Sequence, residues 1–184
     1  IRRDLKWLKD KGYIHLVRGG AIRKAGGPIA LTNFEDRLKR NKHQKEMIAR
    51  YAVKHFVEKG DIIILEGGTT VSLMSQQLLV PGLTVITDGP VILNHAAQFL
   101  EEINVICCGG ILRKKEFTFV GPQAEDFFTH YMANKCFISA YGFMFEYGLV
   151  DNSHEEVRVK QSMINNSQQL IVLLDSSKIG ASSL

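Results

Sequence analysis

Five short apolar runs recur along the chain after residue 60, and stretches with helical spacing of their apolar residues separate them. The runs are rich in Ile, Val and Leu, which is typical of strands buried on both faces. Strands that alternate with helices predict right-handed crossovers and an α/β fold, a mostly parallel sheet with helices on both faces. The predicted strands are 62–65, 83–87, 103–108, 135–140 and 170–174, and the predicted helices lie near 69–79, 90–101, 121–131 and 154–168.

A longer helix is predicted ahead of the first strand. Asn33 is placed to cap a helix that runs to about Val57, with Glu35 and Asp36 in its first turn. This helix either packs on its own domain or pairs with a partner subunit, and the sequence leaves both possibilities open.

The first 25 residues have a different pattern. Ile1, Leu5 and Leu8 recur at helical spacing, and YIHLV followed by RGG and AIR predicts a short hairpin. A basic helix followed by a hairpin is the second half of a winged helix-turn-helix, whose helix enters the major groove of DNA. The alternative is an amphipathic helix that packs on a hairpin without any role in DNA binding.

These patterns predict three regions in the chain. Residues 1–25 would be the C-terminal part of a winged helix-turn-helix DNA-binding domain, 26–33 a Gly- and Pro-containing linker, and 34–184 an α/β domain.

Charge is distributed unevenly among these regions. Residues 1–25 carry eight Lys or Arg against two Asp, whereas residues 61–184 carry seven basic and thirteen acidic side chains. A basic head on an acidic body predicts that the head binds a polyanion such as double-stranded operator DNA. The candidate DNA-binding residues are Arg2, Arg3, Lys6 and Arg18.

Composition narrows the class of protein further. No apolar run approaches the roughly 20 residues that a membrane span requires, so we predict a cytoplasmic protein without a membrane partner. Cys107, Cys108 and Cys136 lie in apolar runs without a CxxC pair, which predicts reduced and buried thiols. The histidines show no ligand spacing, so neither a metal site nor a cofactor is predicted.

Polar and glycine-containing turns follow the predicted strands directly. The C-terminal ends of parallel strands lie along one edge of a sheet, so these turns are expected to converge on one crevice. Glycine turns alone would be structural, but carboxylates, hydroxyls and lysines at one edge indicate a binding site. The candidate residues, including Lys160 from the last predicted helix, are Glu66, Gly67, Gly68, Thr69, Thr70, Thr87, Asp88, Gly89, Gly109, Gly110, Lys160, Asp175 and Lys178.

The turn EGGTT, residues 66–70, limits the kind of ligand. A nucleotide P-loop requires GxxxxGK[ST], and the sequence contains neither that motif nor GxGxxG. What remains is a compact phosphate or polyol site, in which amides and hydroxyls at Thr69 and Thr70 bind anionic oxygens.

The other candidates divide between two roles in such a site. Glu66 or Asp88 would bind sugar hydroxyls, and Lys178 or Lys160 would supply a counter-charge. For Lys160 the sequence allows an alternative, a solvent-facing position paired with Glu156 at i,i+4.

On these motifs the chain resembles the DeoR family of bacterial transcriptional regulators. The resemblance extends along the sequence through IRRDL, RGGA, EGGTT, LTVITD, EEVRVKQSM and DSSKIG. It implies an N-terminal winged helix-turn-helix, with Arg2 and Arg3 on its recognition helix. It also implies a sensor related in fold to ribose-5-phosphate isomerase and CoA transferases, which typically binds a phosphorylated sugar. By this resemblance the positions around the effector are Gly68, Thr69, Thr70, Thr87, Asp88, Gly109, Gly110, Lys160, Asp175 and Lys178.

The chain departs from the family pattern at two positions. Glu66 stands where the family commonly has Asp, and Asp88 stands where it often has Asn. The added methylene and the added charge predict that the effector differs from that of relatives. Family members usually continue with a final strand beyond DSSKIGASSL, so we expect the last segment to be missing here.

Two functions from different classes follow. The first is a DNA-binding regulator of carbohydrate metabolism, and we predict a repressor. Its sensor would bind a phosphorylated sugar or polyol and change operator affinity, and paired half-sites imply a dimer or tetramer. The alternative is a sugar-phosphate isomerase-like enzyme in the same crevice, with Glu66, Asp88 or Asp175 as base and Lys178 or Lys160 stabilising the enediolate.

Overall fold

The computed structural model describes residues 2–10, 14–17, 20–23 and 33–181. The chain divides into two compact units, Ile1–Leu31 and Thr32–Ser183. Each unit is described by itself.

The first unit contains a helix and a hairpin. Helix α1 spans Arg2–Asp10, and strands β1 (Ile14–Val17) and β2 (Gly20–Arg23) pair antiparallel with Val17 opposite Gly20. The predicted basic helix and hairpin are therefore confirmed. The winged helix-turn-helix itself remains a prediction.

The second unit is built on a five-stranded parallel sheet. Its strands are β3 (Ile62–Leu65), β4 (Thr84–Thr87), β5 (Asn104–Cys107), β8 (Ala133–Ile138) and β11 (Ser167–Val172). Their order is β11-β8-β3-β4-β5, and each neighbouring pair is parallel. The chain moves outward from β3 to β5 and then returns to the other side of β3. This reversal places a topological switch point between β3 and β8, where ligands bind in open α/β sheets.

Helices cover both faces of this sheet. They are α2 (Phe34–Lys39), α3 (Lys42–Phe56), α4 (Thr69–Ser72), α5 (Pro90–Ala96), α6 (Pro122–Thr129) and α7 (His154–Asn165), with 3-10 turns at Ser75–Gln77, Ala97–Phe99 and Ser176–Lys178. Apolar residues of α3, α4 and α5 pack in one core, and those of α6 and α7 pack in the other. Ile63 and Leu65 of β3 contribute to the first core, whereas Ile64 between them contributes to the second. The predicted α/β class and the burial of the central strand on both faces are confirmed.

The edge strands are less buried than predicted. Asn104–Cys107 is exposed or half-buried throughout, and in Ser167–Val172 only Ile171 is buried. An edge strand has one sheet neighbour and one open side, so its apolar sequence alone does not place it in the core.

Two short antiparallel pairs were not predicted from the sequence. Strand β6 (Ile111–Leu112) pairs with β7 (Phe119–Val120), and β9 (Gly142–Met144) pairs with β10 (Gly148–Val150). Strands of two or three residues are too short to show a period in sequence.

The predicted long helix from Asn33 to Val57 is interrupted. Asn33 does cap α2, because its side chain accepts a hydrogen bond from the Asp36 amide. The helix stops at Lys39 and restarts at Lys42, with Asn41 in the left-handed conformation at φ 51°. Asn adopts this conformation more readily than other non-glycine residues, so the single-helix prediction is wrong at this point.

The cysteines agree in part with the prediction. All three are free, and Cys108 and Cys136 are buried, but Cys107 is half-buried. Burial and the nearby Asp88 carboxyl raise the pKa of Cys107 to about 11, so its thiol is held in the protonated, less reactive form.

Candidate functional site

Glu66 joins the two strands at the switch point. Its amide donates to the Phe137 carbonyl over 3.0 Å, and its side-chain Oε2 accepts from the Ser139 amide over 3.0 Å. The side chain is buried, with the residue 5% exposed. The carboxylate is therefore fixed across the ends of β3 and β8. A Cβ on Gly68 would lie 2.5 Å from Oε2 of Glu66, so this position has no room for a side chain.

Lys160 reaches this carboxylate from α7. Its Nζ lies 3.3 Å from Oε1 of Glu66 and donates to Oδ2 of Asp151 over 2.5 Å and to the Ser139 carbonyl over 3.0 Å. The ammonium thus makes two hydrogen bonds and a close ion pair with Glu66. Burial would lower the pKa of Lys160, but Glu66, Asp151 and Glu156 raise it above its ordinary value. The solvent-facing alternative for Lys160 is wrong.

Asp88 lies beside Glu66 at the end of β4. Its Oδ1 accepts from the Gly67 amide over 2.7 Å. Burial first, and the Glu66 charge second, raise the pKa of Asp88 well above its usual value. A Cβ on Gly89 would lie 2.7 Å from Cα of Gly67. The two glycines therefore let the backbones after β3 and β4 approach closely.

Thr87 holds these same turns together. Its hydroxyl donates to the Leu65 carbonyl over 2.7 Å and accepts from the Gly89 amide over 2.9 Å. The hydroxyl donates once and accepts once within these turns, so Thr87 fixes their geometry.

Glu156 adds a further carboxyl that was not predicted as a site residue. Its Oε1 accepts from the Thr118 hydroxyl over 3.2 Å, and Nη1 of Arg113 lies 3.9 Å away. Burial raises the pKa of Glu156 to about 7, although Lys160 lowers it. The carboxylate cluster, as we name this group, consists of Glu66, Asp88, Asp151 and Glu156 around Lys160.

Lys45 of α3 lies at the start of α4 and was also not predicted. Its Nζ donates to Oγ1 of Thr69 over 3.1 Å and to the Arg37 carbonyl. The residue is only 4% exposed. Burial and the charges of Lys178, Arg37 and Arg40 lower the pKa of Lys45 to about 8, while Asp175 raises it.

Lys178 and Asp175 belong to the turn after β11. Nζ of Lys178 donates to the Ala140 carbonyl over 2.7 Å, next to the Ser139 carbonyl that Lys160 binds. Burial and the charges of Arg37 and Lys160 lower the pKa of Lys178, whereas Asp175 and Asp151 raise it. The cation cluster, as we name it, consists of Arg37, Lys45 and Lys178.

Asp175 is the acidic neighbour of the cation cluster, and Asn41 fixes it. Nδ2 of Asn41 donates to Oδ1 of Asp175 over 3.0 Å, and the amide and hydroxyl of Ser177 donate to the same oxygen over 3.0 and 2.5 Å. Burial would raise the pKa of Asp175, but these hydrogen bonds and Lys178 lower it below its usual value.

The remaining predicted residues differ in their surroundings. Thr70 is buried in α4. Gly110 has φ +127°, and a Cβ there would lie 2.6 Å from the Val120 carbonyl oxygen, whereas a Cβ on Gly109 would meet nothing within 4 Å. Gly110 thus has a structural role in the turn after β5, and in the described part of the chain no hydrogen bond joins Gly109 or Gly110 to either cluster.

The predicted DNA-binding residues belong to the first unit. Arg3 and Lys6 are exposed on α1. The backbone of Arg2 is helical, and Arg18 lies outside the described residues.

The described residues show neither a metal-binding cluster nor a membrane-spanning helix. Within these ranges, no group of three or more His, Cys, Asp or Glu is arranged to hold a metal ion. No described helix is long and apolar enough to cross a membrane.

Sequence comparison gives a clear relationship. A family model for the DeoR C terminal sensor domain matches residues 40–184. Over 183 residues the chain is 36% identical to the transcriptional regulator GolR of Listeria innocua, covering 98% of this chain and 70% of GolR. It is 33% identical to IolR of Bacillus subtilis, covering 100% and 72%, and 30% identical to a lactose phosphotransferase system repressor of Staphylococcus epidermidis, covering 98% and 71%.

Solved structures share the fold at lower identity. A D-ribose-5-phosphate isomerase in complex with phospho-erythronic acid aligns with a TM-score of 0.53 at 14% identity, over 75% of this chain and 54% of the isomerase. The delta subunit of eIF2B from Chaetomium thermophilum aligns with a TM-score of 0.54 at 17% identity, over 79% and 52%. The chain thus spans about half the length of these structures, and the predicted isomerase-like fold is confirmed. From the sensor-domain match and the relatives together, the chain belongs to the DeoR family of transcriptional regulators.

Proposed function

We propose that residues 33–181 bind a phosphorylated sugar or polyol at the ends of β3 and β8. We further propose that this binding changes the affinity of the protein, with a complete N-terminal domain, for operator DNA. The observation that carries the proposal is the position of Lys45, a buried ammonium bound to Thr69 and surrounded by other cations.

The cation cluster supports binding of the phosphate. Three cations lie near one another with Asp175 as their acidic neighbour, so their mutual repulsion favours an anion between them. Thr69 is the first residue of α4, where backbone amides have no acceptor within the helix. A phosphate at this position would accept hydrogen bonds from amides, hydroxyls and ammonium groups together.

The carboxylate cluster supports binding of the sugar hydroxyls. Its buried oxygens accept hydrogen bonds, which is what a hydroxyl donor requires. Lys160 is held by its own three partners and acts as a fixed counter-charge. Lys178 lies close enough to both clusters for Asp175, Asp151 and Lys160 to shift its pKa. A ligand with one anionic end and one hydroxyl-bearing end therefore matches the arrangement.

A relative supports the connection to carbohydrates. The Staphylococcus epidermidis protein is named a lactose phosphotransferase system repressor. For this chain we propose regulation of carbohydrate metabolism, with repression as the expected direction and a dimer or tetramer as the expected assembly.

DNA binding is proposed for the first unit. Arg3 and Lys6 are exposed on one basic helix, as phosphate contacts require. Such contacts make affinity fall steeply with salt concentration.

The isomerase alternative is less well supported by the geometry. It needs a free carboxylate base beside the substrate. Glu66 is bound by Ser139 and Lys160, Asp88 accepts a hydrogen bond from the Gly67 amide, and the pKa of Asp175 is lowered, which makes it a weak base. Turnover of a sugar phosphate that disappears in Asp175→Asn would restore this alternative.

A ligand screen tests the proposed function. Thermal unfolding is measured with pairs of compounds, each sugar or polyol with and without its phosphate. At a hundredfold excess over Kd, a binding compound raises the unfolding free energy by about 2.7 kcal/mol. We expect at least one phosphorylated member to stabilise the protein and its unphosphorylated partner not to do so. If no phosphorylated compound stabilises the protein, the proposal is refuted.

The variant Lys178→Ala separates effector binding from DNA binding. Lys178→Ala is expected to blunt the effector response while operator affinity stays unchanged, since Lys178 lies in the second unit. If this variant loses DNA binding but still responds normally to the ligand, the assignment of Lys178 is wrong.

A further inference from the structure

Arg37 carries a buried donor that the protein does not satisfy. Its Nη2 donates to the Glu116 carbonyl over 3.2 Å. Its Nε is fully buried and has no acceptor among the described residues. Buried polar groups almost always have a hydrogen-bond partner, and a charged donor costs most when it lacks one. An acceptor from outside the described chain would satisfy this Nε–H donor.

The neighbours of Arg37 indicate that this acceptor is an anion. Arg37 lowers the pKa of both Lys45 and Lys178, so the three cations are close enough to repel one another. Asp175 raises both pKa values, but its Oδ1 is already engaged by Asn41 and Ser177. The local charge is therefore positive, and the unsatisfied donor lies within it.

Arg37 takes part in the hydrogen bonds that hold helix α2, while Leu38 of the same helix packs against the first core. In α2 only Phe34 is buried. The helix is held by the Phe34 amide, which donates to the Lys115 carbonyl over 2.8 Å, by Nη2 of Arg37 on Glu116, and by Lys45 on the Arg37 carbonyl. Two of these three hydrogen bonds involve Arg37, so a ligand that binds this residue also strengthens the attachment of α2.

We propose that Arg37 is a further effector-binding residue, whose Nε donates to a phosphate oxygen of the ligand and thereby fastens α2 to the sensor. The inference rests on the proposed function, because the phosphate is the one assigned to the cation cluster. Arginine suits this task because its planar guanidinium presents several donors to one phosphate. Lysine would keep the charge but would lose the Nε–H donor.

Inorganic phosphate is the probe for the test, because it lacks the sugar and reports only on the anion site. Its apparent Kd is measured by calorimetric titration at constant ionic strength for the wild type, Arg37→Gln, Arg37→Lys and Arg40→Gln. Arg40 is the matched control, because it is exposed, lies three residues away and also lowers the pKa of Lys45. Arg40→Gln thus removes the same charge without removing the buried donor.

We expect Arg37→Gln to weaken phosphate binding by about tenfold or more, the size of one charge-assisted hydrogen bond. Arg37→Lys should weaken phosphate binding by most of that factor. Arg40→Gln should change Kd by less than about threefold, because an exposed charge contributes little. Equal effects of Arg37→Gln and Arg40→Gln would overturn the inference, because Arg37 would then act only through its charge. Thermal unfolding without ligand shows whether each variant is folded. If Arg37→Gln does not fold, Arg37→Lys still tests the inference.

Two further readouts complete the design. Hydrogen exchange of the amides in residues 34–40 should slow when phosphate binds to the wild type and should not slow in Arg37→Gln. Lys45→Met separates the inference from the proposed function. If Lys45→Met abolishes phosphate binding while both Arg37 variants retain it, the proposed function stands and the role of Arg37 is refuted. If the wild type binds neither phosphate nor any sugar phosphate, the proposed function itself fails.

Discussion

Replacing Lys45 by Met should change how stability depends on pH. The free lysine side chain has a pKa near 10.5, and in the folded protein burial and the nearby cations lower the pKa of Lys45 to about 8. Below pH 8 the folded protein must therefore hold an ammonium in an unfavourable position. This penalty disappears as pH rises from 8 to 10.5, because the unfolded chain binds more protons than the folded chain over that interval.

The magnitude follows from the size of the pKa shift. One pKa unit corresponds to 1.36 kcal/mol, so the shift of Lys45 sets an upper limit of about 3 kcal/mol at neutral pH. Screening of the exposed neighbours reduces the effect. Between pH 7 and 9.5 we expect the wild type to gain about 1–2 kcal/mol of unfolding free energy relative to Lys45→Met. The hydrogen bonds to Thr69 and to the Arg37 carbonyl are lost in the variant at both pH values and cancel in this comparison.

Urea unfolding of both proteins at pH 7 and 9.5 provides the measurement. Lys54→Met is the matched control, because Lys54 is exposed on the same helix. The unfolding free energy of Lys54→Met should differ from that of the wild type by the same amount at the two pH values. An unchanged difference for Lys45→Met as well would show that Lys45 is not held in a cation-crowded site, and the reasoning behind the cation cluster would fail.

Three further outcomes are expected. The pKa of Glu156 is raised to about 7, so the wild type should lose on the order of 2 kcal/mol relative to Glu156→Gln as pH rises from 5 to 8, measured by urea unfolding. Gly89→Ala should cost about 1–3 kcal/mol because its Cβ would lie 2.7 Å from Cα of Gly67, whereas Gly109→Ala, with nothing within 4 Å, should not reduce the unfolding free energy. In the protein with its complete N-terminal domain, Arg3→Ala should weaken operator binding and lower the salt dependence by about one phosphate contact, while thermal stabilisation by the effector stays unchanged.

The sheet and the edge at which its polar turns meet were predictable from sequence because both depend on local patterns. The apolar runs identified the strands, and the parallel arrangement then determined which turns share an edge. Glu66 and Asp88 were found in this way, since each follows its strand directly. The turns after β5 share the same edge in principle, but in the described part of the chain no hydrogen bond joins Gly109 or Gly110 to either cluster.

The parts that were missed depend on contacts distant in sequence. Lys45 lies in a helix whose buried positions include Ala49 and Ala52, four and seven residues later. Lys45 on the apolar face of this helix was the signal that could have identified it as a buried site residue. Its partner Thr69 is 24 residues away in sequence, so the contact itself was not predictable. Lys160 was among the predicted site residues, although the sequence also allowed a local alternative. A local pair with Glu156 satisfied the helix rule, yet the structure places its ammonium on Glu66 and Asp151.

The interruption at Asn41 connects these observations. In a continuous helix residues 34–40 would continue along the axis of α3 at about 1.5 Å per residue. The break instead lets the Phe34 amide and Arg37 reach the carbonyls of Lys115 and Glu116, while Asn41 binds Asp175. The cation cluster therefore requires the break, since it is formed from residues on both sides of it.

The same cluster explains how a sensor gains from an unfavourable arrangement. Repulsion among Arg37, Lys45 and Lys178 destabilises the ligand-free protein, and a bound phosphate would remove that cost. A ligand shifts an equilibrium only by its difference in affinity between two states. Because two of these cations, Arg37 and Lys45, also hold α2 in place, the states that differ in phosphate affinity are expected to differ in the attachment of α2. If the proposed site is correct, the charge arrangement that costs stability in the free protein is also the one that makes its structure responsive to a phosphorylated ligand.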